Sequence, residues 1–346
     1  MNSIKALCFL AVIFFPAKSF ALFIDMAGHY VFDSRVDEVI IDLAVSRDVS
    51  IEVVSGGVVE GDIKCTSRAD DCLSDIEVSG HGAVLGFIQG ADANVTLRDY
   101  ARVGQAGAGS STGAAVYISD NAYLDTYRHA TATTNRLVMT GGYVGLAWGG
   151  APEGFRIDIS NGTIGSVSTK YLDFNMSGGR VLNGISGEGI NLYVTDGDIW
   201  GGVELRPDWP FTEMNAIYGG AFNANDNEYL LDFGPQSLYA VGSDHLTIEG
   251  GLFGNINPGS GFNFRGNSSV DIFGDFDLQF DGSLLSGHLL DGSFINVPVA
   301  FADNWRGEFN VHAVPEPPEI LLFATGILGL LFAHRRRKQS TSALVA

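Results

Sequence analysis

The chain has 346 residues, 45 of them glycine, and a formal net charge of −20 at pH 7. Six of its 20 cations (Lys5, Lys18, Arg335, Arg336, Arg337, Lys338) and two of its 40 acids (Glu316, Glu319) lie in the two terminal segments, so the body between them carries about −24. That charge excludes nucleic acid, whose phosphates need cations opposite them, and it excludes direct adsorption on anionic lipid or polyanionic sugar without a bridging cation.

The first segment, 1–21, reads as a secretory signal peptide. Lys5 precedes the apolar run Ala6–Phe15, Pro16 follows, and Ser19-Phe20-Ala21 is a small-x-small cleavage site. Cleavage is expected after Ala21. Cys8 leaves with this segment. Cys65 and Cys72 remain, enclosing six residues, and an oxidising compartment makes a close even pair a disulfide. Closing so short a loop contributes about 2–3 kcal/mol. The competing reading, a metal pair, lacks a second cysteine pair or clustered histidines.

From residue 51 onward a motif recurs: apolar, any, apolar, any, two turn residues, any, apolar. Leu137-Val138-Met139-Thr140-Gly141-Gly142-Tyr143-Val144 is one copy. Others begin at Ile157, Phe174, Leu192 and Leu246, one at Ile217–Phe222 lacks its first apolar residue, and weaker ones begin at Ile51, Ile76, Val95, Val116 and Val270. The sixth positions fall at 56, 81, 100, 121, 142, 162, 179, 197, 220 and 251. A period of about 20 residues, with a strand, a turn and a second short strand, describes one turn of a stacked solenoid. The expected fold is all-β: a right-handed parallel β-helix of ten or eleven coils, occupying 22–311 with its end caps. First and third motif positions point inward, second and fourth outward. Glycine, Asn or Asp at the fifth and sixth allows the positive φ of a tight corner. Loops are expected to bulge within 200–215 and 221–245. Residues 22–49 are expected to cap the first coil and 276–311 to close the last, with Phe276–Asp281 as a half-exposed strand.

In this architecture the body resembles the pectin-lyase-like parallel β-helices, which include carbohydrate lyases and hydrolases. That resemblance directs attention to the outer face. Asp158, Asn175 and Tyr193 share the outward second position of neighbouring coils, and Arg180 lies near them. They form the candidate catalytic set, an acid, an amide, an aromatic and a base. Ser119, Thr140, Ser160, Ser177 and Thr195 make a hydroxyl ladder at the fourth position, read as satisfying turn backbone rather than binding ice. Asp271, Asp275, Asp277 and Asp281 are an acidic string, read as a solvated face; calcium is the alternative. No other cofactor and no metal site is expected.

The last segment, 312–346, is of a different kind. Val314-Pro315-Glu316-Pro317 precedes an uncharged apolar run, 320–333, and then Arg335, Arg336, Arg337 and Lys338. As a helix, the run is short for a bilayer core of about 30 Å, and the long stems of the cations extend its reach. It is expected to be a single transmembrane helix with the cations on the cytoplasmic side. This tail resembles the PEP-CTERM sorting signal, also catalogued as an ice-binding protein C-terminal domain. The resemblance implies export by the Sec machinery of a Gram-negative bacterium and a transient anchor in its inner membrane, with the ectodomain in the periplasm. An exosortase would then process the protein for the cell surface or extracellular matrix. It implies an address and no activity. The function expected is a non-catalytic structural or adhesive component associated with exopolysaccharide or biofilm. The alternative is a polysaccharide lyase or glycoside hydrolase.

Overall fold

A computed structural model describes residues 21–66, 74–90, 94–108, 115–129, 136–200, 203–206, 214–217, 221–222, 238–242, 245–250, 252–253, 261–266 and 269–313. The first coil has three strands: β1 (Ala21–Ile24), β2 (Gly28–Phe32) and β3 (Arg35–Val36). Each pairs in parallel with its equivalent one coil later, at Glu38–Ile41, Val49–Val53 and Val58–Val59. The chain thus winds into a three-faced parallel β-solenoid. Among the described residues the only helix is a 3-10 turn at Leu43–Asp48, and no helix is long and apolar enough to cross a membrane. The signal segment 1–20, the tail 314–346 and the expected helix 320–333 lie outside the described residues.

The face begun by β2 shows why the sequence repeats. Ile51 stands opposite Ile76, Ile76 opposite Val95, Val95 opposite Val116, and Val116 opposite Leu137. Further on, Phe174 is opposite Leu192, Val194 opposite Ile217, and Ile217 opposite Ile248. These register steps reproduce the intervals between motif copies, including the long step over the excursion before 245. The inward residues Leu137, Met139, Ile157, Ile159, Phe174, Met176, Leu192 and Val194 are all buried. Fully burying one such side chain is worth about 1.5–3 kcal/mol. Sheets with only parallel strands are normally covered on both faces by helices. Here closure of the coil covers one face with the other two, so each strand alternates instead of running apolar throughout.

The corners also follow the motif. The sixth positions Gly56, Gly142, Gly162, Gly179 and Gly197 have positive φ, and in three earlier copies the fifth takes that role, as Gly80, Asp99 and Asp120. At Gly162 (φ +99°) a Cβ would sit 2.4 Å from the Gly141 carbonyl oxygen of the previous coil. Only glycine permits both the left-handed conformation and that approach. Hence the extended run Arg136–Val181 passes several corners without losing its ladder.

Two end assignments differ from expectation. Residues 22–49 do not cap the stack; they form the first coil and begin the second. Leu22 and Ile24 alternate in register with Val39 and Ile41, so this stretch stacks like any other. The acidic stretch 37–43 divides into the strand Glu38–Ile41 and the entry to the 3-10 turn, where the Asp42 carboxylate accepts the Ala44 N–H at 3.0 Å. At the far end the closure is as expected, but by antiparallel pairing. Gln279–Phe280, Leu284–His288 and Phe294–Phe301 form a meander, and Val299–Phe301 rejoins the solenoid beside Phe262–Phe264. The expected strand 276–281 shortens to Gln279–Phe280, because a turn precedes it in which Asp277 turns to bond His288. Phe280 packs on Phe309, and Trp305 on Phe301, plugging the end of the core.

One core residue breaks the apolar rule. Tyr127 is fully buried, stacked on Phe155 with centroids 5.2 Å apart, and its hydroxyl has no hydrogen-bond partner among the described residues. Burial pushes its pKa far up. An unsatisfied buried hydroxyl costs about 1–3 kcal/mol, so Tyr127→Phe is expected to raise the midpoint of thermal unfolding. A lowered midpoint would show that the hydroxyl contributes something the packing does not explain.

Candidate functional site

Three of the four catalytic candidates meet. Asp158, Asn175 and Tyr193 line a shallow groove of about 300 Å³ on the β2 face, with Arg156, Ser160 and Thr195. Asn175 and Tyr193 are register partners on adjacent coils. Arg180 is not in this groove. It stands past the next corner, where its Nη2 donates to Asp198 Oδ2 at 3.1 Å and its guanidinium lies 4.1 Å from the Trp200 ring centroid. The corner at Gly179 turns the chain between the two positions, a rotation that residue spacing alone conceals. The loops expected within 200–215 and 221–245 fall largely outside the described residues, Trp209, Phe211 and Tyr229 among them.

Asp158 is engaged on both oxygens. Arg136 Nε donates to Oδ2 at 2.5 Å, and Arg156 Nε reaches Oδ1 at 2.8 Å and Oδ2 at 2.9 Å. Arg136 belongs to the preceding coil and was not among the sequence candidates. The carboxylate joins two coils, and among the described residues no second carboxylate lines the groove.

A second groove on the same face, nearer the N-terminus, has a volume of about 380 Å³. His29, Glu52, Glu77, Asn94, Thr96 and Tyr117 line it. Glu52 and Glu77 are register partners on adjacent coils. The signal was in the sequence: they are the second positions of the copies beginning at Ile51 and Ile76. They hold the same outward second position as Asp158 and Asn175, in weaker copies of the motif. These carboxylates are also paired, Glu77 with Arg98 Nη2 at 2.6 Å and Glu52 with His29 Nε2 at 3.4 Å.

The hydroxyl ladder satisfies backbone, but across coils rather than within its own turns. Ser160 Oγ donates to the Met139 carbonyl at 3.3 Å, Ser177 Oγ to Ile159 at 3.5 Å, and Thr195 Oγ1 to Met176 at 3.4 Å. Ser119 bonds Asp120 instead. The acidic string likewise separates into individual partners. Asp271 bonds Asn310 and His312, Asp277 bonds His288, and Asp281 accepts from Ser283 and Leu284. The hydrogen bond from His288 holds the Asp277 carboxyl below its ordinary value of 3.8. Among the described residues no three His, Cys, Asp or Glu side chains group as metal ligands. Cys65 is disulfide-bonded, and Cys72 lies outside the described residues.

No protein-family model matches the chain, and no curated protein or solved structure matches it either. The likeness of the tail to a sorting signal therefore rests on its own residues.

Asp158 reads as an inter-coil tie. Asp158→Asn is expected to lower unfolding stability by about 1 kcal/mol, a value discounted for the solvent that reaches both arginines. A urea-unfolding midpoint unchanged by the substitution would contradict that role.

Proposed function

We propose that this chain is an exported protein of the bacterial surface or extracellular matrix, non-catalytic, whose rod associates with exopolysaccharide. Val314-Pro315-Glu316-Pro317, the apolar run 320–333 and Arg335–Lys338 supply the address. On this reading Sec exports the chain and signal peptidase cuts after Ala21. The tail holds it in the inner membrane until an exosortase releases it. The body is taken to be a right-handed coil. The observation that carries the non-catalytic reading is the consumption of outward charge. Asp158, Arg180 and Glu77 each spend their charge on a neighbouring side chain that ties coil to coil or strand to corner, and Glu52 stands 3.4 Å from His29 Nε2. A poised acid or base needs its proton-exchanging atom available to substrate.

The second reading, a polysaccharide hydrolase or lyase, draws on Glu52 and Glu77. Register partners in a ladder stand about 4.8 Å apart, and paired glycosidase carboxylates work at separations of about 5–10 Å.

The test has two arms. Neutral residues in place of Arg335–Lys338 should prevent membrane retention and release by exosortase; delivery to the same compartment in equal amount would make the tail a bystander. The released protein, incubated with the exopolysaccharide of its own host, should co-sediment with the polymer and leave its chain length unchanged. Shortened chains, abolished by Glu52→Gln or Glu77→Gln, would establish the second reading instead.

A further inference from the structure

The two ends of the rod are not alike. At the C-terminal end the antiparallel meander and the plug of Phe280, Phe301, Phe309 and Trp305 cover the core. At the N-terminal end β1, β2 and β3 each have one partner strand, and their outer edges are unpaired among the described residues. An unpaired edge presents a row of N–H and C=O groups ready to bond another strand. Natural edges are commonly blunted with Lys or Pro, and residues 21–36 contain neither.

The core is also open there. Leu22 points inward yet is 37% exposed, whereas Val39, its register partner one coil on, is 0% exposed. On the outward side of the same coil Phe23 and Val31 are each 51% exposed, and Met26, in the turn, is 68% exposed, so the outer surface at this end is apolar too. This stretch is nearly neutral in a strongly acidic chain, with Asp25 and Asp33 against Arg35.

We infer that the N-terminal coil is the interface of a head-to-head dimer between two copies of this chain. The contact required is the one the molecule already makes at every coil, an apolar column met by another and strand edges met by strand edges. At the C-terminal end the strand Phe309–Ala313 has one partner among the described residues, but Phe280, Phe301, Phe309 and Trp305 fill the core there, so a head-to-tail contact would lack the open apolar column that the N-terminal end presents. Joining two equivalent N-terminal ends instead gives a closed twofold assembly. A twofold axis sets the facing strands antiparallel, a pairing as well bonded as the parallel one. The inference rests on the export reading in one respect: cleavage after Ala21 leaves Leu22 as the first residue, so no upstream segment of the same chain covers the edge.

The test uses the released protein as it leaves the cell. Its native mass should be twice that of one chain. Met26→Cys should give an intermolecular disulfide under mild oxidation, and Phe276→Cys, also well exposed at the other end, should not. Phe23→Lys should halve the native mass with the far-ultraviolet circular dichroism unchanged. The terminal mass separates the two premises. A monomer that begins at Leu22 overturns the dimer and leaves the export reading standing. A monomer that retains residues 1–20 overturns both.

Discussion

No single coil of this protein can hide its own apolar side chains. A turn of about 20 residues has three short strands and one inward side of each, and only the coils above and below complete the enclosure. Everything else in the molecule answers to that constraint. The inward column of Ile51, Ile76, Val95, Val116 and Leu137 is continuous because each member is sealed by the next. The corners must be tight enough to let backbones approach, which fixes glycine at positions such as 162.

The outer surface is shaped by the same stacking. Residues at equal motif positions come within contact distance on adjacent coils, so opposite charges and hydroxyls find partners along the rod axis. Arg136 and Arg156 close on Asp158, Arg98 on Glu77, and Ser160 on the Met139 carbonyl. A stacked surface places acids, amides and aromatics side by side whether or not they act on a substrate. Juxtaposition alone is therefore weak grounds for catalysis on such a scaffold, and the pairing of each charged group carries more information than its presence in a column.

The repeat was legible because it is a consequence of burial: spacing, inward positions and turn residues all appear as local patterns of one strand. Register steps of 25, 19 and 21 residues on the β2 face are the distances between motif copies. What was not legible depends on relations between coils or around corners. Arg180 lies close to Asn175 in sequence, but a corner sends it to a different face and to Asp198. Arg136 reaches Asp158 from the preceding coil, and no local pattern announces that. The first coil was mistaken for a cap because it lacks the turn glycines of later copies, although Leu22 and Ile24 keep its register. At the other end the alternation of Phe276–Asp281 foretold a strand. The pull of Asp277 toward His288 bent most of it into a turn.

The central claim is the parallel, in-register stack with one coil between neighbouring strands. Thr96 and Tyr117 are outward register partners on adjacent coils, while Val138, the partner of Tyr117, lies one coil further. Adjacent strands stand about 4.8 Å apart, within the Cα separation a disulfide spans, and two coils exceed it. The protein carrying Thr96→Cys and Tyr117→Cys should form an intramolecular disulfide on mild oxidation, and the one carrying Thr96→Cys and Val138→Cys should not. Free thiols in the first pair, or equal bonding in both, would contradict the stack.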